Sequence, residues 1–129
     1  MSNGPLPSQL CLLSDLPSKA VGDKVRFLAC VTSYSPTSGV VTLEHHRPKD
    51  VCFVHAFVDV NLVLEGLKSD QTRTGEWVNV IGYITRISPL TDEKPNSGDA
   101  AVRIQALLLW SAGPLDVTRY ETSVKVLKE

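Results

Sequence analysis

The residues of this chain that could carry chemistry begin with its three histidines. His45 and His46 are adjacent, and His55 lies nearby. Adjacent residues of a strand point to opposite faces, so these histidines cannot readily chelate one ion. No Ser or Cys nucleophile has a suitably spaced base, no paired carboxylates stand out, and no glycine-rich phosphate loop is present. The sequence therefore predicts no enzyme active site, no metal site and no cofactor.

Binding of single-stranded nucleic acid is a second kind of chemistry, and it needs cations for phosphates and aromatic rings for bases. The candidate residues for such binding are Tyr34, Arg47, Lys49, Arg86, Lys94 and Arg103. Only 6% of residues are aromatic, so stacking platforms are scarce. The other large rings lie in runs typical of a core: Phe27, Phe53, Phe57 and Trp110. Solvated loop charges and an ordinary strand-end tyrosine are the alternative interpretation of these candidates.

Contact with another protein is the third possibility, and it concerns the C-terminal segment, residues 115–129. This segment is predicted to be an α-helix, because its apolar residues recur at i, i+3, i+7 and i+10 and form one narrow stripe. The stripe consists of Val117, Tyr120, Val124 and Leu127. Such a stripe packs either on its own domain or on a partner, and the pattern alone leaves both open.

Length and composition indicate one domain over residues 1–129, with a lead-in over residues 1–20 that precedes the first long strand. The net charge of −1 argues against a polybasic protein that holds nucleic acid mainly by phosphate neutralisation. Neither a signal peptide nor a membrane span is expected. Three cysteines lie far apart in the sequence, and Cys30 and Cys52 are predicted to be buried thiols in a reducing compartment.

Short apolar runs separated by turn signals predict five strands and an inter-strand helix that contains Leu62, Leu64 and Leu67. The strands are predicted at about residues 24–34, 40–45, 51–60, 77–87 and 101–111. Gly82, in the middle of the fourth strand, indicates a bulge or a sharp bend. This order matches an OB-fold, a five-stranded Greek-key barrel, while a sandwich or an SH3-like barrel has a similar strand count.

Four segments of the sequence also carry a family resemblance. They are VGDKVRFLACV from Val21, LEH from Leu43, VDVNLVLE from Val58 and GEWVNVIGY from Gly75. The chain resembles the filamentous-fungal form of the Ten-one family, the smallest subunit of the telomeric CST complex. The resemblance rests on these segments and on the spacing of the strands, and it extends from about Leu6 to Leu127. GEWVNVIGY is the most specific of the four, whereas many OB-folds share the outline of VGDKVRFLACV.

The resemblance implies a non-catalytic OB-fold subunit that protects telomere ends in the nucleus, at the telomeric region of the chromosome. Its direct partner would be the middle OB-fold subunit of CST (Stn-one), and the large CST subunit and telomeric single-stranded DNA would join the assembled complex. The implied interface is the C-terminal helix, through Val117, Tyr120, Val124 and Leu127 with Arg119 and Lys125 at the rim, and adjoining barrel surface. The alternatives are an autonomous single-strand binder and an adaptor like the small subunit of replication protein A.

Overall fold

A computed structural model describes residues 8–45, 53–89, 99–112, 120–122 and 124 of the chain. Its six strands are β1 (Gln9–Leu10), β2 (Lys24–Ser35), β3 (Val40–Glu44), β4 (Val54–Asp59), β5 (Trp77–Pro89) and β6 (Ala100–Ser111). The five longer strands lie where the sequence predicts strands, within about three residues at each end. Strand β1 was not predicted, because two residues are too short for an alternating pattern to show.

Three short 3-10 helices connect these strands: Leu13–Ser18, Asn61–Gly66 and Ser69–Gln71. The first forms part of the lead-in, and its Leu13 and Leu16 are buried. The second occupies the position of the predicted inter-strand helix, but it has 3-10 geometry and none of its residues is buried. No helix in the described ranges has both the length and the apolar character needed to cross a membrane.

The barrel closes because β2 pairs with strands on both of its edges. The sheet order is β1-β2-β3-β4-β6-β5, and β5 pairs antiparallel with β2 over Lys24–Cys30 to complete the ring. The second half of β2 pairs with β3 from Cys30 to Ser35, with a register shift between Val31 and Ser33 that bends the strand. A strand of 12 residues is thereby shared between two sides of the barrel. The architecture confirms the predicted OB-fold.

Gly82 allows the close approach of β5 and β6 at the predicted irregularity. Ile81 pairs with Leu108 whereas Gly82 pairs with Ala106, so Leu107 is an extra residue on β6. A β-carbon on Gly82 would collide with the backbone oxygen of Gln105. The predicted bulge is therefore present. Its extra residue, Leu107, lies on β6, whereas Gly82 lies on β5.

The core fills the barrel with side chains from alternate positions of the strands. Phe27, Leu43, Val58, Val80 and Ile104 are among its fully buried members. Cys30 occupies an outward position of β2 and is only partly buried, so the prediction of a buried thiol is wrong for this residue. Cys52 lies outside the described residues. Partial burial, together with the Glu44 and Glu76 carboxylates, raises the pKa of the Cys30 thiol.

Candidate functional sites

The C-terminal helix is attached to the barrel through a tyrosine hydroxyl. Tyr120 Oη donates a hydrogen bond to the backbone oxygen of Cys11 at 2.6 Å and accepts one from the backbone nitrogen of Leu28 at 3.0 Å. On this edge of β2, strand β1 pairs only with Val25 and Arg26, and β3 begins to pair at Cys30. Leu28 therefore lies in a gap between two strand partners, and the hydroxyl of Tyr120 fills that gap.

Burial of the Tyr120 side chain favours the neutral phenol. Desolvation raises the pKa of Tyr120 to about 12, although the hydrogen bond from the Leu28 amide acts in the opposite direction. The hydroxyl thus remains a donor to Cys11 over the whole physiological pH range. A protonated hydroxyl can serve a carbonyl and an amide at once, which an ionised oxygen cannot.

A histidine at the end of β3 provides a second attachment for the helix. His45 Nε2 lies 3.0 Å from Glu121 Oε1, and the histidine residue is only 7% exposed. Its ring meets the ring of Trp77 edge-on, with centroids 5.2 Å apart, and lies 6.5 Å from the ring of Tyr120. Two successive helix residues therefore contact the barrel at two separate places, Tyr120 at β2 and Glu121 at the residue that follows β3.

The described part of the apolar stripe faces the chain's own barrel. Leu28 lies on an outward position of β2, yet it is fully buried, and so is Val124. Neither residue belongs to the cluster inside the barrel. Together with the hydrogen bonds of Tyr120, this placement matches the interpretation in which the helix covers its own domain. The predicted interface residues Val117, Arg119 and Leu127 lie outside the described residues.

The candidate nucleic-acid residues are only partly brought together. Arg86 of β5 and Arg103 of β6 are exposed and lie directly opposite each other in the sheet. Tyr34 lies elsewhere, on β2 opposite Val41, and its partly buried side chain packs against the core. The predicted residues Arg47, Lys49 and Lys94 lie outside the described ranges.

Phe57, which its apolar sequence run predicts to lie in the core, lies beside these arginines. Phe57 pairs with Arg103 across β4 and β6, and the Arg103 guanidinium carbon is 5.8 Å from the ring centroid of Phe57. The assignment to the core was wrong for Phe57 because β4 buries Ala56 and Val58 and turns the residues between and beside them outward. His55 and Asp59 lie two residues before and after Phe57 and therefore on the same face of the strand. These polar neighbours were the sequence signal that Phe57 faces outward.

Two further aromatic residues of that group also lie outside the core. Phe53 is 49% exposed. Trp110 is partly exposed, with the Arg26 guanidinium carbon 5.5 Å from its ring centroid. Only Phe27 of the four is fully buried inside the barrel.

An apolar groove lies beside the bulge of β6. It is lined by Val63, Gly66, Leu67, Leu108 and Leu109. The bulge at Leu107 places Leu109 inside and leaves Leu108 55% exposed. The consecutive Leu108 and Leu109 thus lie on opposite faces of the sheet.

Comparison with known families decides the identity of the chain. The family model for Ten1, described as a telomere-capping subunit of the CST complex, matches residues 1–125. The chain belongs to the Ten1 family. The resemblance predicted from the sequence is thereby confirmed, and this Ten1 family member is a non-catalytic, telomere-capping subunit of CST. Comparison with curated protein sequences gives no match.

Solved structures with the same fold include one of S. pombe Ten1 and one of the S. pombe Stn1–Ten1 complex. The chain is 24% identical to one in the crystal structure of the S. pombe Stn1–Ten1 complex, with a TM-score of 0.69 over 97% of this chain and 95% of that one. A structure of S. pombe Ten1 has 24% identity and a TM-score of 0.67, over 95% and 98% of the two chains. Replication protein A of U. maydis, bound to single-stranded DNA, has 16% identity and a TM-score of 0.56, over 93% and 88%. Because the sequence identities are below 25%, these structural similarities show a shared fold and nothing more.

Proposed function

We propose that this Ten1 family member acts as a heterodimer with the middle OB-fold subunit of CST, Stn1, at nuclear telomeres. The observation that carries the proposal is the family match over residues 1–125. Support comes from the S. pombe Stn1–Ten1 crystal structure, which contains a chain of the same fold along 97% of this one. In this role the subunit stabilises its partner by binding the folded state of that partner.

The C-terminal helix is the proposed centre of the interface, and its attachment to the barrel gives it a defined position. Tyr120 and Val124 hold the helix from the inside, so their contribution to partner binding is to position it. Val117, Leu127 and Arg119 remain the proposed contact residues.

Co-expression with the middle CST subunit tests this proposal. We expect the two chains to co-purify and to elute as a one-to-one complex. Tyr120→Ala should reduce recovery of the partner by about tenfold or more, because it removes the hydroxyl that positions the helix on the barrel, and the loss of such a buried hydrogen-bond partner costs about 1–3 kcal/mol. The matched control is Tyr34→Ala, which changes a partly buried tyrosine at the far end of β2 and should leave recovery unchanged.

The alternative partners are separated by the same experiment. Failure of the wild-type chain to bind the middle CST subunit would contradict the proposal. Selective recovery of the middle subunit of replication protein A would instead support the adaptor alternative. Circular dichroism of both tyrosine variants shows whether the barrel itself remains folded.

A further inference from the structure

The C-terminal helix contacts the barrel through two of its faces. Tyr120 and Val124 are four residues apart and share one face, which is turned to the barrel: Tyr120 Oη binds the Leu28 amide, and Val124 is fully buried. Glu121 lies about 100° further around the helix axis, because an α-helix has 3.6 residues per turn. Its side chain contacts His45, the residue that follows β3. Contacts on two faces fix the rotation of the helix about its axis, which a contact on one face does not.

The contact between His45 and Glu121 is largely closed to solvent. The side chain of His45 is 3% exposed and that of Glu121 is 24% exposed. A carboxylate can only accept hydrogen bonds, so His45 Nε2 carries a hydrogen and donates to Glu121 Oε1 at 3.0 Å. A hydrogen bond to a charged group is stronger than one between neutral groups, and burial limits the competition from water. We call these two residues the His45–Glu121 pair.

The barrel holds the ring of His45 in a defined place. The ring meets that of Trp77 edge-on, with centroids 5.2 Å apart, and the ring of Tyr120 lies 6.5 Å away. His45 directly follows β3, near the gap in which the Tyr120 hydroxyl binds the Leu28 amide. The donor nitrogen is therefore in a fixed position, and it determines where Glu121 and the helix that carries it can lie.

We propose that the His45–Glu121 pair holds the C-terminal helix in its binding orientation before the middle CST subunit binds. The part of this inference that concerns the partner rests on the proposed function, whereas docking of the helix is a property of the isolated chain. His45 and Glu121 are positioning residues, since they determine how many molecules have the helix docked. The apparent affinity of a partner falls in proportion to the population of the state that can bind it. The pair therefore acts on the rate of association.

Hydrogen exchange of the Leu28 amide, followed by NMR on the isolated chain, measures docking directly, because the Tyr120 hydroxyl accepts the hydrogen of that amide. His45→Phe retains an aromatic ring beside Trp77 and removes the donor nitrogen. It should speed exchange of the Leu28 amide about 10- to 150-fold, the range that corresponds to loss of a hydrogen bond to a charged group. Amides between β5 and β6 should keep their wild-type rates, which separates undocking of the helix from loosening of the barrel.

A second set of variants tests whether the two residues act as a pair. Glu121→Ala should match His45→Phe, and the double variant should exchange no faster than either, because all three lack the same bond. Glu121→Gln keeps an oxygen that accepts from Nε2 and should restore most of the protection. His55→Phe is the matched control, since His55 contacts Glu44 at 3.2 Å in a more exposed pair that joins β4 to β3. It should change exchange of the Leu28 amide less than about twofold.

Surface plasmon resonance with the immobilised middle CST subunit tests the consequence for the partner. His45→Phe and Glu121→Ala should lower the association rate constant about threefold or more, which corresponds to a docked fraction of about one third or less. The dissociation rate constant should stay within about twofold of wild type, whereas loss of a residue that contacts the partner mainly speeds dissociation.

The outcomes separate this inference from the proposed function. If the wild-type chain does not bind the middle subunit, the proposed function fails. If wild type binds and the two variants associate at the wild-type rate, or dissociate faster without associating more slowly, only the positioning role of the pair fails. Unchanged exchange of the Leu28 amide in His45→Phe, or additive effects in the double variant, would equally overturn that role.

Discussion

The hydroxyl group of Tyr120 accepts a hydrogen bond from the backbone nitrogen of Leu28 at 3.0 Å, across a sequence separation of 92 residues. It thereby pairs an amide that lies between the end of the β1 contact and the start of the β3 contact. An unpaired buried amide would destabilise the barrel at this point. The C-terminal helix is consequently part of the hydrogen bonding of the barrel as well as a cover for it.

Tyr120→Phe should lower the free energy of unfolding by about 1–3 kcal/mol, because it removes the hydroxyl that accepts from the Leu28 amide and donates to the Cys11 carbonyl. The ring remains, so the packing of the helix changes little. Urea unfolding followed by circular dichroism measures the difference. A variant as stable as the wild type would show that water replaces the hydroxyl at both groups.

The raised pKa of Tyr120 predicts a loss of stability at high pH. The folded chain retains the phenol proton up to about pH 12, whereas the unfolded chain releases it near the ordinary value of 10.0. Between these values the unfolded state binds fewer protons, so the free energy of unfolding falls as pH rises. Below this window the contribution is fully present.

Urea unfolding of wild type and Tyr120→Phe at a series of pH values from about 8 to 11 isolates this contribution. We expect the two stability curves to run parallel below about pH 9 and the wild-type curve to fall more steeply above about pH 10. Lysines titrate in the same range in both proteins, and the comparison cancels their effect. Parallel curves over the whole range would contradict a raised pKa at Tyr120.

Gly82→Ala should destabilise the barrel by about 1–3 kcal/mol, because the added methyl group collides with the backbone oxygen of Gln105 and forces β5 and β6 apart. Gly66→Ala is the matched control. No atom lies within 4 Å of a β-carbon built at Gly66, so this change should be neutral or slightly stabilising. Thermal unfolding of the two variants measures the contrast, and equal melting temperatures would mean that the sheet accommodates the methyl group.

The strands were predictable from the sequence because each one alternates strongly between buried and outward positions. In β5, for example, Val78, Val80 and Ile84 are buried, and the glycine among them indicated the irregularity with β6. The positions of Arg86 and Arg103 were only half predictable. Arg86 and Arg103 were identified as cations, but their direct pairing depends on the register shift between Ile84 and Arg86, which no local pattern encodes.

Sequence alone predicted the five long strands from their periodicity, and contiguous segments carried the resemblance to the Ten1 family. Strand order by itself left the OB-fold open beside a sandwich and an SH3-like barrel. Only the tertiary structure decided which surfaces the side chains occupy. Phe57 lies outside because Ala56 and Val58 take the core positions. Tyr120 faces inward because its hydroxyl pairs the Leu28 amide, which lies between the β1 and β3 pairings of β2. Such relationships join residues far apart in the chain, and they arise only when the barrel closes and its backbone groups find partners.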